Sequence, residues 1–181
     1  GYGYCIYIGN TTQHFEVRDC YLHGADGVSS KPYYHDSGLI LYNSINGLIS
    51  GTNSSFNNQC GIFVQYSDSI TISQNNLTDN NYGIYLDNSD NNTVTHNNAQ
   101  LNDYDGVYVY YSDNNSISYN ELHYNDFCGV YHQGSTNSTI FNNSVSYSTI
   151  YGGIYLFQIS KGNEIFNNSF ISNNGHSISF D

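Results

Sequence analysis

Residues 83–98 read GIYLDNSDNNTVTHNN. Apolar side chains stand at Ile84 and Leu86 and again at Val94, alternating with polar ones, and between them run asparagine, serine and aspartate. The alternation fits short strands rather than a helix, whose apolar residues would recur every three or four positions. Strands this short bury nothing alone. The stretch therefore calls for neighbours of the same kind.

The chain supplies them. Segments 61–82, 83–105, 106–128, 129–152 and 153–175 each open on Gly-(Ile/Val) and repeat one pattern with a period of 22 to 24 residues. A weaker copy fills 38–60, and a divergent one opens the sequence with CIYIGNTTQHFEVRDCYLHGADG. Repeats of this length are supersecondary units that gain a core only by stacking. We expect an all-β chain, a right-handed parallel β-helix of about seven rungs of 22–24 residues with three short strands each. The expected single domain runs 1–181, with a divergent first rung carrying a loop insertion at 28–36, regular rungs over 38–175 and the start of an eighth rung at 176–181. A leucine-rich repeat has a similar period, but its Leu-x-x-Leu-x-Leu signature is missing.

Composition limits the partners. Only 10% of the residues are charged, the net charge is −12, and the strong cations are Arg18, Lys31 and Lys161. No basic patch can be assembled from these, which excludes nucleic acid and disfavours anionic membranes. No apolar run approaches the ~20 residues of a membrane-spanning helix. The 20 tyrosines and nine phenylalanines speak against disorder. The expectation is a soluble exported domain.

Three rows recur once the rungs are superposed. Asn53, Asn75, Asn97, Asn120, Asn143 and Asn168 are expected to form a ladder at one turn, in the left-handed conformation and amide to amide, with Cys20 at the equivalent place in the first rung. Two residues after the rung glycine stand Phe63, Tyr85, Tyr108, Tyr131 and Tyr155, an outer aromatic strip that could meet sugars or a second protein; the flanking positions are aliphatic and face inward, with His132 the exception. Asp68, Asp90 and Asp113 form an acidic row in consecutive Ser-Asp turns, where repulsion between stacked carboxylates admits calcium but where aspartate also serves the turn backbone.

The rung GIYLxNSxNNTVTxNN resembles the parallel β-helix repeats of the pectin-lyase-like superfamily, particularly its carbohydrate-binding and sugar-hydrolase domains. It is also similar to the β-helix proteins of nitrous-oxide-reductase maturation, often labelled copper-binding, and to archaeal surface-protein repeats. The resemblance covers essentially the whole chain and implies the fold. Function does not follow from it, because lyases, hydrolases, epimerases, adhesins and shells share the scaffold. Lyases of this superfamily use calcium with an Arg or Lys base. Here Arg18 is the one arginine, the lysines are far apart, and an anionic uronate would meet a protein of charge −12. Asp103 and Asp105 could pair as glycosidase carboxylates, but without His or Lys support they read as turn residues. Seven histidines and four cysteines show no CxxC, HxxxH or CxxCH spacing, and His23 and His123 share a register position four rungs apart.

Sequons occur at Asn10, Asn53, Asn76, Asn91, Asn114, Asn137, Asn142 and Asn167, and Asn91, Asn114 and Asn137 lie 23 apart on one outer turn. Glycosylation there, scarce lysine and uncapped ends suit an extracellular or cell-surface protein that stacks with copies of itself or belongs to a longer chain. The loop at 28–36 offers Lys31, Tyr33, Tyr34 and His35 as further binding residues. Cys60 and Cys128, each just before a rung glycine, should stand three rungs apart, too far for a disulfide. At most Cys5–Cys20 should close within the chain, leaving Cys60 and Cys128 free or bridged to neighbouring molecules.

The function that best fits these residues is a secreted or surface structural and adhesive module, S-layer-like or filamentous. It would contact itself or glycans through the tyrosine strip, without a resident cofactor unless calcium. The alternative is a carbohydrate-active enzyme, a polysaccharide lyase or glycoside hydrolase, using carboxylates beside the 28–36 loop.

Overall fold

In a computed structural model, which describes residues 3–27 and 36–181, the repeats stack as rungs of a right-handed parallel β-helix. The first sheet has eight strands, Ile6–Gly9, Leu39–Tyr42, Cys60–Gln65, Tyr82–Asp87, Val107–Tyr110, Cys128–Gln133, Gly152–Phe157 and Ile178–Phe180, in chain order. The second has seven, beginning at Phe15–Arg18 and ending at Glu164–Phe166. The third is interrupted: Tyr21–His23 pairs with Asn53–Ser55, Glu121–His123 joins Ser144–Ser146 and Ser169–Ile171, and single parallel bridges through Asn76 and Asn98 span the gap.

Alternation explains the core. Each regular rung sends two side chains inward from the first sheet and one each from the second and third, as Ile84, Leu86, Val94 and Ala99 do, all fully buried. Stacking these rows gives one continuous apolar column from Val17 to Leu156. Each Ile, Leu or Val so enclosed contributes about 1.5–3 kcal/mol against its exposed state. His132 occupies the inward place between Val109 and Leu156, with no exposed surface.

The corners are built by a local rule that the sequence reading only half captured. At each corner one residue has positive φ, between 43° and 61° for the non-glycine cases. The residue after it turns its side chain inward. The asparagine ladder comprises Asn75, Asn97, Asn120, Asn143 and Asn168. Each of the first four donates its backbone N–H, and its Nδ2, to Oδ1 of the next. These residues are not themselves left-handed; Gln74, His96, Tyr119, Asn142 and Asn167, which precede them, are. The left-handed bend is what aims the following amide into the column, so handedness and ladder belong to adjacent residues.

The ladder's first member is also corrected. Thr52, not Asn53, donates its N–H to Asn75 Oδ1, and Asn53 lies in a strand of the third sheet. Cys20 does take the equivalent place in the first rung, partly buried against the core. Three further corners repeat the device. Ser67, Ser89, Ser112 and Ser135 line one, Asn92 and Asn115 a second, and Asn57, Asn80, Asn102 and Asn125 a third.

All four cysteines are free. Cys60 and Cys128 have no exposed surface, so a bridge to a neighbouring molecule would require the sheet face to open. Burial pushes both thiols well above their ordinary range.

Candidate functional site

The outer face of the first sheet carries the aromatic strip. Phe63, Tyr85, Tyr108, Tyr131 and Tyr155 stand in register on five consecutive strands. Ring centroids along the row are 5.3, 4.5, 5.0 and 5.2 Å apart. The strip is less open than expected: Phe63, Tyr85 and Tyr155 are 3, 3 and 6% exposed, and only Tyr108 and Tyr131 are half-buried.

A second aromatic row covers it. Tyr104, Phe127 and Tyr151, each two residues before a rung glycine, follow one another at 4.9 and 5.8 Å. Tyr82 fills the space between the rows, 5.1 Å from Tyr104 and 5.5 Å from Tyr85. Tyr104 and Tyr151 are the exposed rings, at 37 and 43%. The sequence held a signal for them in YDG, FCG and YGG at 104–106, 127–129 and 151–153. That signal has no alternation to mark it, because the chain turns there.

Beneath the two rows lies Asp105. It precedes Gly106 and is 4% exposed, with Oδ1 accepting the Cys128 backbone N–H at 3.0 Å. Burial holds its carboxyl well above the usual carboxylate range, so the acid is neutral where ordinary aspartates are charged. Burial likewise raises the Tyr108 phenol and pushes Tyr131 up to about 12. Asp103 is exposed, so the two aspartates occupy different environments and do not form a couple.

Asp105→Asn gives a direct check. The amide keeps the bond to Cys128 and removes the proton affinity. In the folded protein the raised pKa means that rising pH favours the unfolded, ionised chain. Asp105→Asn is therefore expected to melt above wild type at pH 8 and to converge with it at pH 4 in a thermal scan. A variant that melts lower at pH 8 would contradict the neutral acid.

Polar groups edge the aromatic rows. Asp87 accepts from Gln65 Nε2 and Asn88 Nδ2, each at 2.7 Å, and Tyr108 donates its hydroxyl to Gln133 Oε1 at 2.6 Å. The arginine is elsewhere. Arg18 lies on the second sheet, donating from Nε to Glu16 Oε2 at 2.6 Å, and this holds the Glu16 carboxyl down at about 2.

The remaining expected residues are dispersed. Asp68, Asp90 and Asp113 form their row, each accepting on Oδ1 from a backbone N–H one rung on, at 2.7, 2.7 and 2.6 Å. Asn91, Asn114 and Asn137 are exposed left-handed corner residues on successive rungs, which is itself a reason for asparagine there. Asn10 and Asn167 are exposed, and Asn53, Asn76 and Asn142 partly so. Lys31, Tyr33, Tyr34 and His35 lie outside the described residues.

The sequence matches, over residues 2–179, the model of a family described as periplasmic copper-binding protein (NosD). No curated protein matches. Among solved structures, the periplasmic alginate epimerase AlgG is 19% identical with a TM-score of 0.68, over 93% of this chain and 47% of that one. The Dettilon tailspike protein (gp208) is 17% identical with a TM-score of 0.79, over 98% and 39%. The A-module of the mannuronan C-5 epimerase AlgE4 of Azotobacter vinelandii is 13% identical with a TM-score of 0.67, over 96% and 57%. The chain thus spans about half the length of AlgG and less of the tailspike, and at these identities the likeness is one of fold.

Proposed function

The chain belongs to the family described as periplasmic copper-binding protein (NosD), and from that premise we propose an exported β-helix module that binds neutral glycan chains along the outer face of its first sheet. The aromatic double row carries this reading. Tyr104, Tyr108, Tyr131 and Tyr151 offer rings for the C–H faces of sugars, and Gln65, Asp87 and Gln133 offer hydrogen bonds at the edge. Neutral rather than uronate chains fit, because the carboxylate at the edge of the face is Asp87, the net charge of the chain is −12, and Arg18 is paired on another sheet. The alginate and mannuronan epimerases share this fold and are named for polysaccharides, which supports the reading by analogy.

Copper does not fit the residues in hand. No group of three or more His, Cys, Asp or Glu among the described residues could surround an ion. Cys60 and Cys128 have no exposed surface, and His132 is enclosed between Val109 and Leu156 in the apolar column. Among the described residues, the ligand set that copper prefers is therefore not brought together.

A second reading, an enzyme on the same face, rests on Asp105 as a neutral acid. Among the described residues it lacks a partner: burial raises its pKa against the lowering pull of the Cys128 amide, and no second carboxylate acts on it. One experiment addresses both. Affinity electrophoresis in gels holding neutral polysaccharides or polyuronates should retard the protein in the neutral gels. Tyr104→Ala with Tyr151→Ala should weaken retardation roughly tenfold or more, two rings at about 0.5–1.5 kcal/mol each beyond their buried area. Retardation only by polyuronates, or an unaffected double variant, would sink the proposal, and release of reducing ends would move it to the enzyme.

A further inference from the structure

A cleft of about 360 Å³ opens at the corner between the second and third sheets, away from the aromatic face, with Gln74, Asn76, His96, Asn98, Tyr119 and Glu121 in its lining. Three observations give it a chemistry. The first is a hydrogen-bond row that ends without a donor. Asn76, Asn98 and Glu121 are successive members of one parallel row, and Asn98 donates Nδ2 to Asn76 Oδ1 at 2.9 Å. Asn98 Oδ1 is buried and has no partner. The next residue up is Glu121, whose ionised carboxylate only accepts. A buried carbonyl left unpaired is unfavourable, so the floor of the cleft favours a group that donates.

The second observation is a flat stack. The His96 and Tyr119 rings lie 5.0 Å apart and within 10° of parallel. Both are held at the corner by left-handed backbone, φ 55° in each case, and Tyr119 is 49% exposed. The third is the charge. The cleft presents a carboxylate and amides with no Lys or Arg, so it disfavours anions; Glu121 is its one carboxylate, too few for a hard cation that needs several. A ligand rich in donors, uncharged and with an apolar face satisfies all three.

We propose that this cleft holds one pyranose unit of a neutral glycan, with hydroxyls donating to the Glu121 carboxylate and to Asn98 Oδ1 and a C–H face against the His96–Tyr119 stack. Glu121 is exposed, so its side chain swings outward at little cost and admits the hydroxyl to the Asn98 oxygen beneath. The site lies on a different face from the aromatic double row and stands whether or not that row binds sugars.

Saturation-transfer NMR with methyl glycosides of glucose, mannose, galactose and N-acetylglucosamine, followed by titration calorimetry of the best, reads the site. At least one glycoside should receive saturation from the wild-type protein. Glu121→Ala should weaken that binding about 10–100-fold, the worth of a hydrogen bond to a charged acceptor, and His96→Ala should weaken it several-fold. Both positions are exposed, so the fold is retained. The Tyr104→Ala, Tyr151→Ala protein should keep the signal. Transfer that is lost in this face variant and kept in Glu121→Ala overturns the cleft while leaving the face proposal intact. Absence of transfer to any glycoside, or calcium uptake in their place, overturns the cleft as well.

Discussion

Replacing Asn97 by alanine is expected to lower the unfolding free energy by about 4 kcal/mol, a large share of the stability of any domain this size. The reason is the position of its side chain in the ladder. Oδ1 accepts both the backbone N–H and Nδ2 of Asn75, at 3.0 and 2.9 Å, while Nδ2 donates to the Ile72 carbonyl and to Asn120 Oδ1, at 2.9 and 3.0 Å. Every partner is buried. Alanine removes four bonds worth about 0.5–1.5 kcal/mol each and leaves a buried peptide N–H without an acceptor. Because each rung contacts only its neighbours, the loss falls on a single interface in the middle of the stack. The same chemistry at the ladder's end should matter little: Thr52 gives its N–H to Asn75 Oδ1, a bond that Thr52→Ala retains, and its hydroxyl makes one long contact of 3.4 Å to the Ser50 carbonyl. Urea unfolding followed by circular dichroism and tyrosine fluorescence should place Thr52→Ala within about 1 kcal/mol of wild type and Asn97→Ala far below it. Asn97→Ala unfolding alongside wild type would show that the ladder decorates the corners without holding them.

The contrast between those two residues also shows what the sequence makes legible. The rung period, the inward aliphatic rows and the aromatic register follow from glycine spacing and alternation, since strands in a stacked helix have no other way to bury apolar side chains. The ladder is legible as a recurrence, but its frame slips at Thr52-Asn53, where an asparagine follows the true ladder position. Its left-handed residue is illegible. The corner forces that conformation on Gln74, His96 or Tyr119 alike, against a cost of roughly 1–2 kcal/mol, because the amide behind it gains several bonds.

The second aromatic row is hidden for a different reason. Tyr104, Phe127 and Tyr151 fold across rungs onto residues about 20 positions away, and no local pattern announces such a contact. The cleft at Glu121 is hidden likewise, since it depends on which amide in a row lacks a partner.

His132 is legible in the sequence as an exception, and its consequence is an expected acid lability. The ring is fully buried, neither nitrogen has a partner among the described residues, and burial lowers its pKa from 6.5 to about 4. Its one charged influence is Asp113, which acts in the opposite sense and does not prevail. The folded state therefore binds the proton less readily than the unfolded chain. Stability is intact above pH 6.5 and is lost as the pH falls towards 4, by about 2 kcal/mol at pH 5 and about 3 kcal/mol at pH 4 for this residue alone. Asp105 works against it over part of the same range, so the wild-type profile is a sum. The difference between wild type and His132→Leu isolates the histidine, because Asp105 is common to both. Leucine matches Val109 and Leu156 above and below in the column. It also removes two unpaired polar atoms, which should stabilise the protein by about 1–3 kcal/mol even at pH 8. Urea titrations at pH 8, 6, 5 and 4 should show the advantage of His132→Leu widening by about 3 kcal/mol across the series. A constant difference would mean that His132 finds a proton acceptor in the folded protein, and a variant weaker than wild type at pH 8 would mean that the imidazole packs better in the column than an aliphatic chain.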